Sequence, residues 1–203
     1  MANKVHDGDL PDGLKWGPVV AIDTEAMGLD PHRDRLCVAQ LSSGDGHCHL
    51  VRFAPGRYEA PRLMALLSDP GTLKLFHFAR FDMAMFRRHL GAEVAPVYCT
   101  KIASRLARTY TDRHGLKDLC RELLNVDISK LQQSSDWGAE TLSAEQVEYA
   151  ATDVRHLHAI KAKLDTMLER SGRRAHAEAS FRYLPTRARL DLEGFEDMDI
   201  LAH

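Results

Sequence analysis

The amino-acid sequence predicts an α/β domain with a mixed central sheet flanked by helices, and three observations support this fold class. Apolar, β-branched runs that are typical of strands cluster in the first half of the chain. A single strand-helix-strand unit follows them, and from Thr100 onward the apolar residues repeat at helical spacing. With 203 residues, of which 44% are hydrophobic, the chain is long enough to bury one sizeable core.

The first three predicted strands are antiparallel. Residues 19–25 form an apolar, β-branched run that becomes acidic at its end, and residues 36–42 form a second run. Gly44-Asp45-Gly46 supplies the residues of a hairpin, after which residues 47–53 return as the third strand. The antiparallel part of the sheet therefore comes first in the chain.

The next elements alternate before the chain becomes helical. We predict, in order, a short helix at 63–67, a strand at 73–78, a helix at 80–90 that Gly91 ends, a short strand at 94–98, and helices at 100–109, 115–125 and 143–170. The last helix has the strongest support, because Ser143 and Gln146 match a capping box and apolar residues recur along it at helical spacing.

Residues 1–180 are assigned to one domain, and residues 181–203 to a C-terminal tail that is expected to belong to the same domain and to a subunit interface. The tail carries five acids with no base between them, from Asp191 to Asp199. Its apolar end, Met198 to Leu201, either contacts another subunit or docks onto its own domain.

Charge and composition argue against two classes of protein. A formal net charge of -2 does not suit a protein that coats nucleic acid by bulk electrostatics, although residues 101–117 hold five basic side chains against one acid. No stretch approaches the roughly 18 uncharged apolar residues of a membrane span. The N-terminus lacks an apolar signal core, so we expect a cytoplasmic protein.

Five residues from three predicted elements carry the functional hypothesis. Asp23 and Glu25 are two apart on a strand, so both side chains leave the same face of the sheet. Asp82 lies in the first turns of a helix, and Tyr149 and Asp153 are one turn apart on the last helix. Each feature has an ordinary explanation by itself: solvated acids at a strand end, an acid near a helix N-terminus, or a Tyr-Asp helix pair.

The four acids are more informative together than separately. Two divalent metals about 4 Å apart can cleave a phosphodiester when carboxylates from several elements converge on them. Four clustered negative charges without cations would be unfavourable and would raise at least one pKa. Because every ligand offers oxygen, we predict two Mg²⁺ or Mn²⁺ ions rather than zinc, held by Asp23, Glu25, Asp82 and Asp153.

These residues resemble the motifs of a known nuclease superfamily. Asp23-Thr24-Glu25, Asp82 and Tyr149-Ala150-Ala151-Thr152-Asp153 match the three exonuclease motifs of the DEDD superfamily in its Tyr-containing branch, DEDDy. Further stretches are similar to ribonuclease D-type enzymes: Val38-Ala39-Gln40-Leu41-Ser42, His114-Gly115-Leu116-Lys117-Asp118-Leu119 and Ser135-Asp136-Trp137.

Among such enzymes the chain most resembles the short nano-RNase C family of alphaproteobacteria, through the stretches 28–37, 109–117 and 132–137. This resemblance implies a ribonuclease H-like DEDD exonuclease fold and a homo-oligomeric ring of eight subunits. It also implies a 3′-5′ exoribonuclease that hydrolyses short single-stranded RNA, down to dinucleotides, to nucleoside 5′-monophosphates. We expect no counterpart of the helical binding domains of ribonuclease D after the last motif, in keeping with short substrates.

The expected mechanism gives each of the five residues a role. Asp23, Glu25 and Asp153 hold the metal that activates water, while Asp23 also reaches a second metal whose water shell contacts Asp82. Tyr149 orients the attacking water, because a phenol with an ordinary pKa near 10 is a poor base at neutral pH.

Four further residues are candidates for substrate binding. Leu29 falls where related oligoribonucleases insert an apolar wedge between the last two bases, although packing against the sheet would also explain it. His77 and Phe81 flank Asp82 in sequence and could line the same pocket, or they could be a buried histidine and a core aromatic. His114 lies beside the basic stretch that could meet phosphates.

Two rival functions remain open on the sequence. One is a nucleic-acid-binding domain that keeps the fold without catalysis, which has no chemical need for clustered acids. The other is an exonuclease for longer substrates, either a ribonuclease D-like enzyme that trims tRNA 3′ ends or a DNA 3′-5′ exonuclease. The sequence does not separate RNA from DNA, because no residue can be assigned to a 2′-hydroxyl contact.

Overall fold

The computed structural model describes residues 2–129, 131–132 and 134–202. Four residues lie outside these ranges: Met1, Lys130, Gln133 and His203. The ranges therefore leave out the first residue of the predicted domain, the last residue of the predicted tail and one residue of the stretch 132–137. Within the described ranges, each helix is too short or too polar to cross a lipid bilayer.

A six-stranded mixed sheet forms the centre of the fold, with the strand order β1-β4-β3-β2-β5-β6. The strands are β1 Asn3–Asp7, β2 Val19–Ala26, β3 Leu36–Ser42, β4 Cys48–Arg52, β5 Leu73–Phe76 and β6 Val97–Cys99. Strands β2, β3 and β4 are antiparallel neighbours, whereas β5 and β6 continue the sheet in parallel with β2. This arrangement confirms the predicted fold class and its three antiparallel strands.

Strand β1 was not predicted. It pairs in parallel with β4 at the edge of the sheet, and its sequence NKVHD contains one apolar residue, Val5, which is exposed. A strand that buries little apolar surface lacks the alternating pattern from which strands are predicted.

The helices surround this sheet. They are α1 Pro61–Ser68, α2 Ala79–Leu90, α3 Thr100–Ala107, α4 Leu116–Leu119, α5 Ala144–Arg155, α6 Leu157–Arg170 and α7 Arg174–Leu190, with π-helical turns at Cys120–Leu124 after α4 and Asp191–Phe195 after α7. Gly91 ends α2 in the left-handed conformation that the sequence anticipated (φ 67°).

The single helix predicted over 143–170 is two helices. The capping box of Ser143 and Gln146 is present at the start of α5, but the helix ends at His156, where the backbone has φ -95° and ψ -8°. Helix α6 then turns away to pack against α3. The apolar residues keep their helical spacing across the break, since Leu157, Ile160 and Leu164 are all buried. The sequence pattern therefore does not show that the helix axis changes direction at His156.

Helix α7 was also not predicted, and it runs across residue 181, where the sequence analysis places the start of the tail. It contains Pro185, which normally disfavours a helix interior, and charged and polar side chains outnumber large apolar ones along its length. Contacts with α2, α3 and β6 stabilise it instead. Tertiary packing therefore decides the conformation of this segment.

Strand β2 lies between β3 and β5 and positions the functional residues. Its first half is fully buried at Val20, Ala21 and Ile22, and its second half carries Asp23, Thr24 and Glu25 in succession. Because side chains alternate along a strand, Asp23 and Glu25 point to one face and Thr24 to the other.

Candidate active site

A cleft of about 760 Å³ opens at the end of β2 between the N-terminal turns of α2 and the middle of α5. All five residues predicted to be catalytic line it, and so do three of the four predicted substrate contacts: Asp23, Glu25, Asp82, Tyr149, Asp153, Leu29, His77 and Phe81. The structure therefore brings together residues that span more than half of the chain.

Three carboxylates form the centre of the cleft. One oxygen each of Asp23, Glu25 and Asp153 can be chosen so that all three lie within 4.8 Å of one another. The strand places the first two on one face, and α5 brings Asp153 over them. This spacing suits one hard cation that takes a ligand from each residue.

Asp82 lies beside this trio rather than within it. It sits in the first turn of α2, is 3% exposed, and accepts a hydrogen bond of 2.6 Å at Oδ1 from Thr24 Oγ1. Its charge acts on Asp23, so it lies close to the trio without belonging to it. We call Asp23, Glu25, Asp82 and Asp153 the acidic floor of the cleft.

The acidic floor is electrostatically unfavourable without cations. Burial, followed by repulsion from Asp82, Asp153 and Glu25, raises the pKa of Asp23 well above its usual range. Burial and the other carboxylates raise the pKa of Glu25 to about 9, and burial raises that of Asp82 to about 7. Groups with such pKa values bind either protons or metal ions at neutral pH, and the oxygen donors select hard divalent ions.

Gln40 supports the floor from the neighbouring strand. It is fully buried on β3, directly opposite Asp23, and its Nε2 donates a hydrogen bond of 2.7 Å to Asp23 Oδ2. The same amide opposes the rise in the pKa of Glu25. Gln40 belongs to the stretch that resembles ribonuclease D, but the sequence alone did not give it a role.

Tyr149 lies one helical turn before Asp153 and is half-buried. Burial and the three nearby carboxylates raise its pKa above the ordinary value of 10, so its hydroxyl keeps the proton. The ring of the buried Trp137 lies 6.0 Å from the Tyr149 ring at an interplanar angle of 44°. Trp137 thus helps to fix the tyrosine in place.

Leu29 stands at the entrance of the cleft and is 86% exposed. It lies at the tip of a tight loop in which the Asp34 carboxylate accepts a hydrogen bond of 3.0 Å from the Asp30 N–H. A Cβ atom at Gly28 would be 2.2 Å from Asp34 Oδ2, so the loop requires glycine there. The alternative that Leu29 packs against the sheet is excluded by its exposure.

Phe78 was not identified from the sequence, although it lines the cleft and is 47% exposed. It precedes α2 with φ 70°, a left-handed conformation that is unfavourable for a bulky residue and that concentrates at functional sites. Lys101 Nζ lies 4.0 Å from the centre of its ring. We call Leu29, Phe78, Lys101 and Lys117 the outer rim of the cleft.

The basic stretch 101–117 contributes to the cleft unevenly. Lys101 and Lys117 line it, whereas Arg108 is fully buried and forms an ion pair with Glu122. His77 lines the cleft, and its Nδ1 is 2.8 Å from Thr100 Oγ1. His114 is not among the lining residues, and its Nδ1 is 2.8 Å from Ser104 Oγ. Its predicted contact with substrate stays a prediction.

Comparison with known proteins identifies relatives of this site. Residues 9–169 match a family model described as 3′-5′ exonuclease. Ribonuclease D of Gluconacetobacter diazotrophicus is 38% identical over 160 residues, which are 79% of this chain and 40% of that protein. The chain therefore spans about two fifths of the length of this ribonuclease D.

Solved structures that cover the whole chain include two of NrnC. NrnC of Brucella melitensis with bound Mg²⁺ has a TM-score of 0.95 and 54% sequence identity, over 100% of both chains. NrnC of the same organism bound to pGG has a TM-score of 0.96 and 55% identity, over 100% of this chain and 99% of that one.

Proposed function

We propose that this chain, which belongs to the 3′-5′ exonuclease family and within it to the group of NrnC, is an oligoribonuclease for very short RNA. It is a metal-dependent 3′-5′ exonuclease, and its proposed reaction is the hydrolysis of short single-stranded RNA, down to dinucleotides, to nucleoside 5′-monophosphates. The observation that carries the proposal is the trio Asp23, Glu25 and Asp153 beside the buried Asp82.

The acidic floor is proposed to hold two divalent ions. Asp23, Glu25 and Asp153 would hold one, and Asp23 would share a second with Asp82. Their raised pKa values indicate a site that needs cations, and the oxygen ligands favour Mg²⁺ or Mn²⁺. Binding of Mg²⁺ by the NrnC of Brucella melitensis supports the same ion here.

The ions would supply activation of the attacking water and neutralisation of the charge that develops on the leaving oxygen. The chain's own residues supply the geometry. Gln40 fixes the orientation of the Asp23 carboxylate, and Thr24 fixes that of Asp82. Tyr149, which keeps its proton, holds the attacking water through its hydroxyl rather than removing a proton from it.

The size and rim of the cleft support a short substrate. A volume of about 760 Å³ lies in the range of small-molecule sites rather than of extended nucleic-acid grooves. The exposed apolar side chains of Leu29 and Phe78 offer surfaces for bases, and Lys101 and Lys117 offer charge for a few phosphates. NrnC bound to pGG is a precedent for a dinucleotide ligand in a related protein.

A second candidate function is favoured by the similarity to ribonuclease D. In this alternative the enzyme trims longer structured RNA, or removes nucleotides from the 3′ end of DNA. The two candidates differ in substrate length, and a length series separates them.

The test uses 5′-labelled RNA and DNA of two to about twenty nucleotides, with Mg²⁺, Mn²⁺ or chelator. We expect the highest kcat/KM for RNA of two to four nucleotides, shortening from the 3′ end, and no turnover with chelator. The Asp153→Asn variant gives the background rate. A preference for the longest strands would support the ribonuclease D-like alternative, and faster cleavage of DNA would overturn the assignment to RNA.

We also propose that the chain assembles into a homo-oligomeric ring of eight subunits. Support comes from the resemblance described above and from the exposure of Met198, Ile200 and Leu201 at the end of the chain. Light scattering of the full chain should give about eight times the subunit mass of 22.8 kDa. Ile200→Asp with Leu201→Asp should reduce this mass, and a monomeric wild-type chain would contradict the proposal.

A further inference from the structure

One carboxylate near the C-terminus is connected to both sides of the active-site cleft. Asp191 begins the π-helical turn after α7 and is 5% exposed. Arg80 of α2 binds it with two hydrogen bonds, Nε to Oδ2 at 2.6 Å and Nη2 to Oδ1 at 2.8 Å. Arg187 of α7 binds the same carboxylate, with Nη2 at 2.8 Å from Oδ1. We call this group, together with His32, the Asp191 junction.

The first link runs to the inner wall of the cleft. Arg80 directly precedes Phe81 and stands two residues before Asp82 in the first turn of α2. Both of these residues line the cleft. A bidentate arginine-carboxylate pair fixes orientation as well as distance, so Asp191 restrains the end of α2 that carries them.

The second link runs to the entrance. His32 Nε2 donates a hydrogen bond of 3.1 Å to the backbone carbonyl of Asp191. His32 belongs to the loop that presents Leu29, and its own N–H donates to the Asp30 carboxylate at 2.9 Å. Two hydrogen bonds between Asp30 and Asp34 close the loop, from the Asp30 N–H to the Asp34 carboxylate and from the Asp34 N–H to the Asp30 carbonyl, so a restraint at His32 is transmitted to Leu29.

The chain after α7 is shaped to make these contacts. Gly194 has φ 91° and allows the turn to bring the following carbonyls back towards the two arginines. Arg80 Nη2 donates to Glu196 O at 2.6 Å, and Arg187 donates to the carbonyls of Phe195 and Met198 at 2.5 and 2.9 Å. The side chains of Asp191 and Arg187 are largely buried, whereas that of Arg80 is about one third exposed. Burying a charged pair is costly, and the cost is consistent with a geometric role.

We propose that Asp191 is a positioning residue that sets the distance between Leu29 and the first turn of α2, and through it the width of the cleft where the terminal bases bind. The inference rests on the proposed function, because it assigns the C-terminal turn to the same substrate site. It gives the tail a role within its own subunit that does not depend on assembly.

The test is a double-substitution cycle on the full chain. Asp191→Asn keeps the shape of the side chain and removes the charge that holds Arg80. We expect KM for a dinucleotide to rise about five- to tenfold, with kcat within about twofold of wild type, because the residues of the junction are not among those that line the cleft and Asp82 keeps its hydrogen bond from Thr24. Leu29→Ala should raise KM by a similar factor. The double variant should raise KM no more than the larger single effect, since Asp191 acts through Leu29.

Asp9→Asn is the matched control. Asp9 is also largely buried, forms an ion pair with Arg62 and accepts the N–H of Leu63, but it lies outside the residues that line the cleft. Both Asp variants should lower Tm, and only Asp191→Asn should raise KM. An unchanged KM in Asp191→Asn, or effects of Asp191→Asn and Leu29→Ala that simply multiply, would overturn the proposal. If wild type cleaves only longer strands, the proposed function fails, and the same cycle on those strands still tests the junction.

Discussion

The acidic floor and the outer rim of the cleft are held by different parts of the structure. Asp23, Glu25 and Asp153 project from a central strand and from a helix that packs across it, and the adjacent apolar residues Ile22 and Val154 are fully buried. Leu29 and Phe78 stand exposed on a tight loop and at the left-handed start of α2. The difference indicates that the regular elements hold the reacting groups and that the loops set what can bind. Substitutions in the floor should therefore reduce turnover, whereas those in the rim should change substrate affinity.

The largest expected effect is that of Asp153→Asn. The amide keeps the size of the side chain but removes one of the three charges that would hold an ion, so we expect kcat to fall by about a thousandfold or more. The control is Glu148→Gln on the same helix, which lies outside the cleft lining and pairs with Arg155. Single-turnover kinetics measures both variants. Wild-type turnover in Asp153→Asn would break the assignment of the floor.

Removal of metal should make the stability of the protein depend strongly on pH. In the metal-free fold the pKa of Glu25 is about 9 and that of Asp82 about 7, against ordinary values of 4.5 and 3.8. The folded state therefore binds more protons than the unfolded state between these limits, and the free energy of unfolding falls as pH rises from about 4 to about 9. We expect a loss of more than about 3 kcal/mol, since each unit by which a pKa is raised contributes about 1.4 kcal/mol.

Urea unfolding with chelator at pH 5, 7 and 9 measures this loss. Saturating Mg²⁺ should flatten the dependence, because bound cations replace the protons. Glu25→Gln should reduce it without metal, since the amide cannot ionise and only Asp23 and Asp82 then keep raised pKa values. Equal pH dependence with and without Mg²⁺ would show that the floor does not bind the ion.

Tyr149→Phe should have a smaller effect, confined to kcat. The tyrosine keeps its proton, so its loss removes an orienting hydrogen bond rather than a base, and we expect a fall of about ten- to a hundredfold in kcat with KM unchanged. The ring should stay in place because Trp137 packs against it. A pH-rate profile with the same shape in both proteins is expected, and an undiminished rate would remove Tyr149 from the mechanism.

The floor and the central fold could be predicted because their signals are local. Asp23 and Glu25 share a strand, Tyr149 and Asp153 share a helix, and each pair has a fixed spacing that a sequence displays. Hydrophobic runs of ordinary length likewise marked β2, β3 and β5. These features can be recognised without knowing which residues distant in the sequence are in contact in the fold.

Leu29 was predicted from the family resemblance, but Phe78 and the supports of the rim could not be predicted, since they depend on contacts between distant parts of the chain. Asp191 is one of five acids in an unremarkable run, and only the fold brings Arg80, 111 positions earlier, to its carboxylate. The exposed position of Phe78 follows from a backbone conformation that its sequence disfavours. Helix α7 likewise exists because of what it packs against.

Gln40 belongs to the floor but depends on a contact between strands, and its substitution should have a smaller effect than that of Tyr149. Its position opposite Asp23 follows from the register of β2 and β3, which the sequence does not specify. Gln40→Leu fills the same buried space but cannot donate to Asp23, so the carboxylate loses a fixed orientation. We expect the Mg²⁺ concentration for half-maximal rate to rise about tenfold, with kcat at saturating Mg²⁺ close to wild type.

Tyr149→Phe is the control in the same Mg²⁺ titration. It should lower kcat and leave the Mg²⁺ concentration for half-maximal rate unchanged. An unaltered Mg²⁺ requirement in Gln40→Leu would mean that strand β2 orients Asp23 without help from β3. The acidic floor would then depend on local structure alone, and its contrast with the outer rim would be sharper.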